Sequence, residues 1–234
     1  MPYRRLPNTD KARIRSIKTA VDSMRNDVRY VPVIKPDLYD RANTLLKSFS
    51  AASDEYNTRL AKFYDHLRSD KYQTRLNTAR TYVRDFLAVF SMSVNRGDFK
   101  RSDRRYYNLS DQDGDVPVLT GETQVLQWCE NVIQGERART SNGGIPIYNP
   151  TVAKLTVHYE LFKEMYNQHK LLKEDADRAL ETVAGMREDV DSLILEMWNS
   201  IEAFFADKSG KAKLDACSRY GIIYYYRKGE ERPD

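Results

Sequence analysis

The sequence predicts an all-α protein, and three observations predict it. Apolar residues recur at three-and-four spacing over long stretches; Gly and Pro are sparse, at 10 and 8 of 234 residues; and charged residues make up 31% of the chain. Long amphipathic helices need such charged outer faces and few breakers. The specific expectation is an antiparallel four-helix bundle made of two pseudo-repeated long helical hairpins, with a short N-terminal helix and small irregular or strand-like tails. A single domain over residues 1–234 is expected, its pseudo-repeat halves at roughly 36–136 and 150–228.

The elements follow in order. Pro7-Asn8-Thr9-Asp10 announces the first helix, because Asn8 or Thr9 can accept from the free amides of its first turn. Ile14, Ile17, Val21 and Met24 continue it until Pro32 and Pro36 make further helix untenable. Pro36-Asp37 opens a much longer run, in which Leu38, Ala42, Leu45, Phe49, Ala52, Tyr56, Leu60, Phe63 and Leu67 keep an apolar seam. Ser69-Asp70 is a turn and N-cap. The next run carries Tyr72, Leu76, Ala79, Val83, Phe86, Phe90 and Val94 before Asn95-Arg96-Gly97 stops it.

The same plan recurs. Asn149-Pro150-Thr151 opens a helix with Val152, Leu155, Tyr159, Phe162 and Tyr166 on one face, and Gly185 permits a turn. Met186, Val190, Leu193, Met197, Ile201 and Phe204 form the fourth stripe. Val83, Phe86, Phe90 and Val94 match Val190, Leu193, Met197 and Ile201 in spacing at a separation of about one hundred and ten residues. Each hairpin has a tail. After the first come an irregular stretch from Asp98 to Gly121 and a shorter helix around Glu122 to Glu136; after the second, one or two helical turns at Ala212 to Cys217 precede strand-like Tyr220-Gly-Ile-Ile-Tyr-Tyr-Tyr226. A lone strand must pair, and the expected partners are Arg105–Leu109 or a second protomer.

Charge and composition narrow the function classes. The net charge of +4 comes from 38 basic and 34 acidic residues that are interspersed, which reads as a mixed solvated surface. The start carries no apolar leader, and no window approaches the ~18 apolar residues of a membrane span. Cys129 and Cys217 stand far apart in no metal-like spacing, so the expected compartment is the reducing cytoplasm with both thiols free.

Three segments carry a resemblance: Pro2-Tyr-Arg-Arg-Leu-Pro-Asn-Thr-Asp10, Gly135-Glu-Arg-Ala-Arg-Thr-Ser-Asn-Gly-Gly-Ile-Pro-Ile-Tyr-Asn-Pro150 and Tyr220-Gly-Ile-Ile-Tyr-Tyr225. They resemble a family of uncharacterised helical bacterial proteins over nearly the whole chain. The resemblance implies a bacterial source and brings no catalytic residue, cofactor or activity with it.

Candidate chemistry is sparse. Asp111, Asp113, Asp115 and Glu122 match positions one, three, five and twelve of a calcium-binding loop. Val116 and Pro117 then stand where that loop needs Gly and a free carbonyl turn, and the favoured reading is an acidic solvated turn. No Glu-x-x-His exists for a di-iron bundle site. There is no Gly-x-Ser-x-Gly elbow, and Ser141-Asn-Gly-Gly144 lacks the flanking strand and helix of a phosphate loop. His169 falls on the seam with Lys173 and is a buried polar candidate. Arg104, Arg105, Tyr106, Tyr107, Arg137 and Arg139 interleave cations with rings, as single-strand binders do, against the favoured reading that the tyrosines pack the tails.

The function expected is therefore non-enzymatic: an intracellular bacterial scaffold or protein-interaction protein that binds a protein partner or itself, as a homodimer through its tails. No cofactor and no membrane are expected. The alternatives are a nucleic-acid-binding accessory protein and a calcium-dependent protein or enzyme.

Overall fold

Capping residues and prolines set the helix boundaries. In the computed structural model, which describes residues 2–27, 32–110, 117–228 and 230, the elements run β1 (Tyr3–Arg4), α1 (Asp10–Arg25), α2 (Pro36–Arg68), α3 (Asp70–Arg96), a 3-10 helix (Arg101–Tyr107), α4 (Glu122–Ser141), α5 (Val152–Phe204), α6 (Gly210–Ser218) and β2 (Tyr224–Tyr225). The protein is predominantly helical, with one small two-stranded sheet among the described residues. Thr9 caps α1, its hydroxyl accepting from Ala12 N–H at 3.2 Å. Ser69 caps α3 by accepting from Tyr72 N–H at 3.2 Å, and Gly97 ends that helix at φ 83°, a left-handed conformation that glycine adopts freely.

The second hairpin does not form. α5 runs unbroken for 53 residues with Gly185 inside it. One glycine costs a helix only about 1 kcal/mol relative to Ala, and Val183 and Val190 are buried on either side of it. The spacing shared by Val83–Val94 and Val190–Ile201 therefore reflects two helical seams, not two copies of one hairpin. The tail strand also pairs differently from expectation. Tyr224–Tyr225 runs antiparallel to Tyr3–Arg4, with Tyr3 opposite Tyr225 and Arg4 opposite Tyr224. Arg105–Leu109 is not available as a strand, because its first residues belong to the 3-10 helix and Asn108 turns left-handed at φ 57°.

The residues gather into two compact units, Met1–Leu60 with Asp175–Asp234, and Ala61–Glu174. The first buries Ile17, Ala20 and Val21 of α1 in one cluster with Leu38, Ala42 and Phe49 of α2 and Val190, Ile194 and Met197 of α5. Two bidentate ion pairs tie α1 to α5. Arg13 donates to both Asp191 oxygens at 2.8 Å, and Arg187 donates to Asp10 at 2.9 and 2.8 Å. The Arg187 hydrogen bonds hold the Asp10 carboxyl below the usual carboxylate range. In the second unit the α3 seam, including Leu76, Val83, Phe86 and Phe90, is clustered with Val125, Cys129 and Val132 of α4 and Leu155 and Phe162 of α5. Each such side chain contributes about 1.5–3 kcal/mol by leaving water.

Candidate functional site

The six residues expected to form a basic–aromatic patch divide into two groups. Arg104, Tyr107 and Arg139 are buried in the second unit. Arg139 Nε donates to Tyr107 Oη and to Glu136 Oε2, both at 2.9 Å; its Nη2 donates to Glu136 Oε1 at 2.9 Å and to the Ile145 carbonyl at 2.6 Å. Tyr107 Oη donates to Glu136 Oε2, and Ile147 N–H donates to Glu136 Oε1 at 3.0 Å. The Arg139 guanidinium also stands 4.5 Å from the Phe99 ring centroid. Arg104 donates to the Ser110 carbonyl at 2.5 Å.

These three side chains are turned into the protein and not onto an open basic–aromatic face. The reason is local geometry. Arg104 and Tyr107 lie three apart on a 3-10 helix, where such positions eclipse, so both turn inward. α4 extends past Glu136 to Ser141, which places Arg139 one turn beyond Glu136 and on its face. Arg105 and Arg137 remain exposed and Tyr106 is half-buried, with the Arg105 guanidinium 5.6 Å from its ring.

Asp111, Asp113 and Asp115 lie outside the described residues. Glu122 opens α4, and among the described residues no group of three His, Cys, Asp or Glu is placed to hold a metal. His169 is half-buried in an aromatic cluster. It stacks on Phe63 at 4.7 Å, with Tyr72 at 5.6 Å and His66 at 6.4 Å between ring centroids. Its Nδ1 is buried without a hydrogen-bond partner, and burial pushes its pKa down, so the neutral imidazole is favoured. Tyr72 Oη is likewise unpartnered; burial raises its pKa, and the Glu122 carboxylate raises it further without closing a hydrogen bond of ordinary geometry. Both groups are shielded from solvent, and both shifts favour the uncharged form.

The first unit holds a site that sequence reasoning missed. Arg4 on β1 donates to Asn199 Oδ1 at 2.7 Å, and Tyr224 Oη on β2 donates to Glu202 Oε1 at 2.7 Å. Both therefore point toward α5. Side chains alternate across a strand, so Tyr3 and Tyr225, paired in register, share the opposite face, followed by Arg5 and Ile223. That face is open: Tyr3, Tyr225 and Ile223 are 38%, 42% and 55% exposed. The Tyr3 and Tyr225 rings lie 5.6 Å apart, and the Arg227 guanidinium stands 4.3 Å over Tyr3. Next to the sheet is a cavity of about 420 Å³, lined by Arg5, Leu6, Arg15, Ser16, Trp198 and Ile223 among others.

A signal for part of this was readable. The positions three and four residues from Arg15 on α1 are Lys11, Ala12, Lys18 and Thr19, so nothing on its own helix neutralises it. Pairing between residues 3 and 225, by contrast, leaves no mark in local periodicity. The chain matches no family model, no curated protein and no solved structure.

Proposed function

We propose that the protein is a non-enzymatic interaction protein of the bacterial cytoplasm, which docks an acidic segment of a partner protein on the outer face of the β1–β2 sheet. The observation supporting this reading is the exposed row of Tyr3, Tyr225 and Ile223, flanked by Arg5 and Arg227. Neither guanidinium is ion-paired among the described residues; the Glu230 carboxylate accepts from the backbone N–H of Arg227 at 2.9 Å. Aromatic residues and arginine are the side chains most enriched at recognition surfaces, because they bring large contact area with little entropy to lose. An acidic segment with apolar residues would neutralise the two cations and cover the rings. Strands of two residues leave little free edge, so side chains rather than backbone pairing carry the contact.

The test uses a fluorescent peptide alternating Glu with Val, its Lys counterpart, and an oligothymidylate. Saturable micromolar binding of the acidic peptide, weakened above ~0.5 M salt and lost in Tyr225→Glu, supports the reading. Absence of binding, or tighter binding of the oligothymidylate, overturns it. A dimer in light scattering that Tyr225→Glu dissociates would give the face to a second copy instead.

A further inference from the structure

We infer that the cavity between the chain at residues 5–8, α1 and the chain at residues 218–223 is a binding site for a carboxylate carried on a small apolar body. Its volume, about 420 Å³, lies within the range of small-molecule sites. Its charge is one-sided. Arg5 and Arg15 line it, no carboxylate does, and neither guanidinium is ion-paired among the described residues. Two exposed cations on neighbouring walls without a counter-ion attract an anion, and guanidinium matches a carboxylate in a two-pronged geometry.

Ser16 backs the same cavity and is only 7% exposed, and its hydroxyl is closed off from the open space, so the two guanidinium groups are the charged groups an incoming anion meets there. The wall is fixed where it meets Ser16. Gly221 adopts φ +88°, and a Cβ there would lie 3.0 Å from the Ser16 carbonyl and 3.2 Å from Thr19 Cβ, so only glycine lets the chain cross α1 this closely.

The rest of the cavity is mainly apolar, with Trp198 at its floor and Leu6, Ile222 and Ile223 around it. So much apolar wall beside two guanidinium groups suits a monoanion on an apolar body better than a free phosphate, which has no apolar part to bury there. A free organic acid and the C-terminal carboxylate of a peptide ending in an apolar residue share this chemistry. The inference goes beyond the docking reading and does not need it, because Arg15, Ser16 and Trp198 lie outside both strands.

The experiment exploits the two tryptophans of the chain. In a Trp128→Phe background, Trp198 is the single indole reporter. Phenylacetate, phenylacetamide, a peptide with a C-terminal Phe carboxylate, its amide and inorganic phosphate are each titrated against Trp198 emission. The expected result is a saturable change with one or both acids and none with the amides, and the stronger acid identifies the source. Arg5→Ala and Arg15→Ala, both at exposed positions, each weaken binding at least about tenfold with unchanged melting. Silence of both acids at millimolar concentration, equal response to the amides, preference for phosphate, or indifference to Arg5→Ala and Arg15→Ala overturns the inference. Tyr225→Glu separates it from the docking reading, since it abolishes acidic-peptide docking and leaves phenylacetate binding intact.

Discussion

Glu136 and Arg139, one turn apart on α4, form a doubly hydrogen-bonded ion pair with each side chain only 2% exposed. Tyr107, Ile145 and Ile147 complete it, so all the polar atoms it buries on the carboxylate side have partners. A buried pair of this kind contributes little net stability over an apolar replacement, but losing one member strands a charge. Arg139→Ala or Glu136→Ala is therefore expected to cost about 3–5 kcal/mol, and Arg139→Lys also fails because one ammonium cannot span Glu136, Tyr107 and Ile145. The double variant Glu136→Leu with Arg139→Met should recover much of the loss. Urea denaturation of the four variants checks this, and a double variant as unstable as the worse single would refute it.

Gly135 and Gly185 give opposite outcomes for one substitution. Both lie in helices, where Ala is favoured over Gly by about 1 kcal/mol. At Gly185 nothing lies within 4 Å of a new Cβ, so Gly185→Ala raises the melting temperature. At Gly135 the Cβ would sit 2.3 Å from the Tyr106 carbonyl and 2.8 Å from Tyr107, both fixed by the 3-10 helix, so Gly135→Ala lowers it. Thermal melts of the two variants read the sign directly.

This contrast shows how far the sequence could be read. The seam from Leu38 to Leu67 and the caps at Thr9 and Ser69 lay within single segments, and local rules find them. The stop assigned to Gly185 failed because a glycine permits a turn without forcing one; the helix on either side decided. Arg104 and Arg139 read as surface cations because local periodicity does not mark a 3-10 helix packed against a longer α4. The cavity in the first unit was least legible of all. It joins Arg5 to Ile223 across more than two hundred residues, and no local pattern records that closure.

Acid should weaken the fold through its histidines. Burial holds the pKa of His169 below 6.5; the Glu122 carboxylate opposes this, while His66 and Lys173 add to it. His158 is lowered too, by burial and then by Arg75. The unfolded chain thus binds protons at these sites more readily than the folded one. Their contribution is fully present above 6.5 and is lost as pH falls through the lower folded values. The urea midpoint is expected to drop between about pH 7.5 and pH 5, and to drop less in His169→Phe, which keeps the stack on Phe63 and cannot take a proton. An equal drop in the variant would remove His169 from the account.

Both cysteines should be inert until the protein opens. Burial pushes the Cys129 thiol up to about 12. Cys217 is raised by burial as well, with the neighbouring Tyr224 hydroxyl opposing the rise. Only the thiolate attacks an alkylating reagent, so a buried thiol with a raised pKa reacts slowly on two counts, access and ionisation. N-ethylmaleimide at about pH 7.5 is expected to leave native protein unmodified over the time in which the two cysteines of the denatured chain react fully. Mass spectrometry of intact protein reads the number of adducts. Because Cys129 packs among Val83, Phe86 and Val132 and Cys217 among the first unit's core, the order in which they label during urea titration reports which unit opens first. Labelling of either thiol in the native protein at the denatured rate would mean that its core is not closed as described.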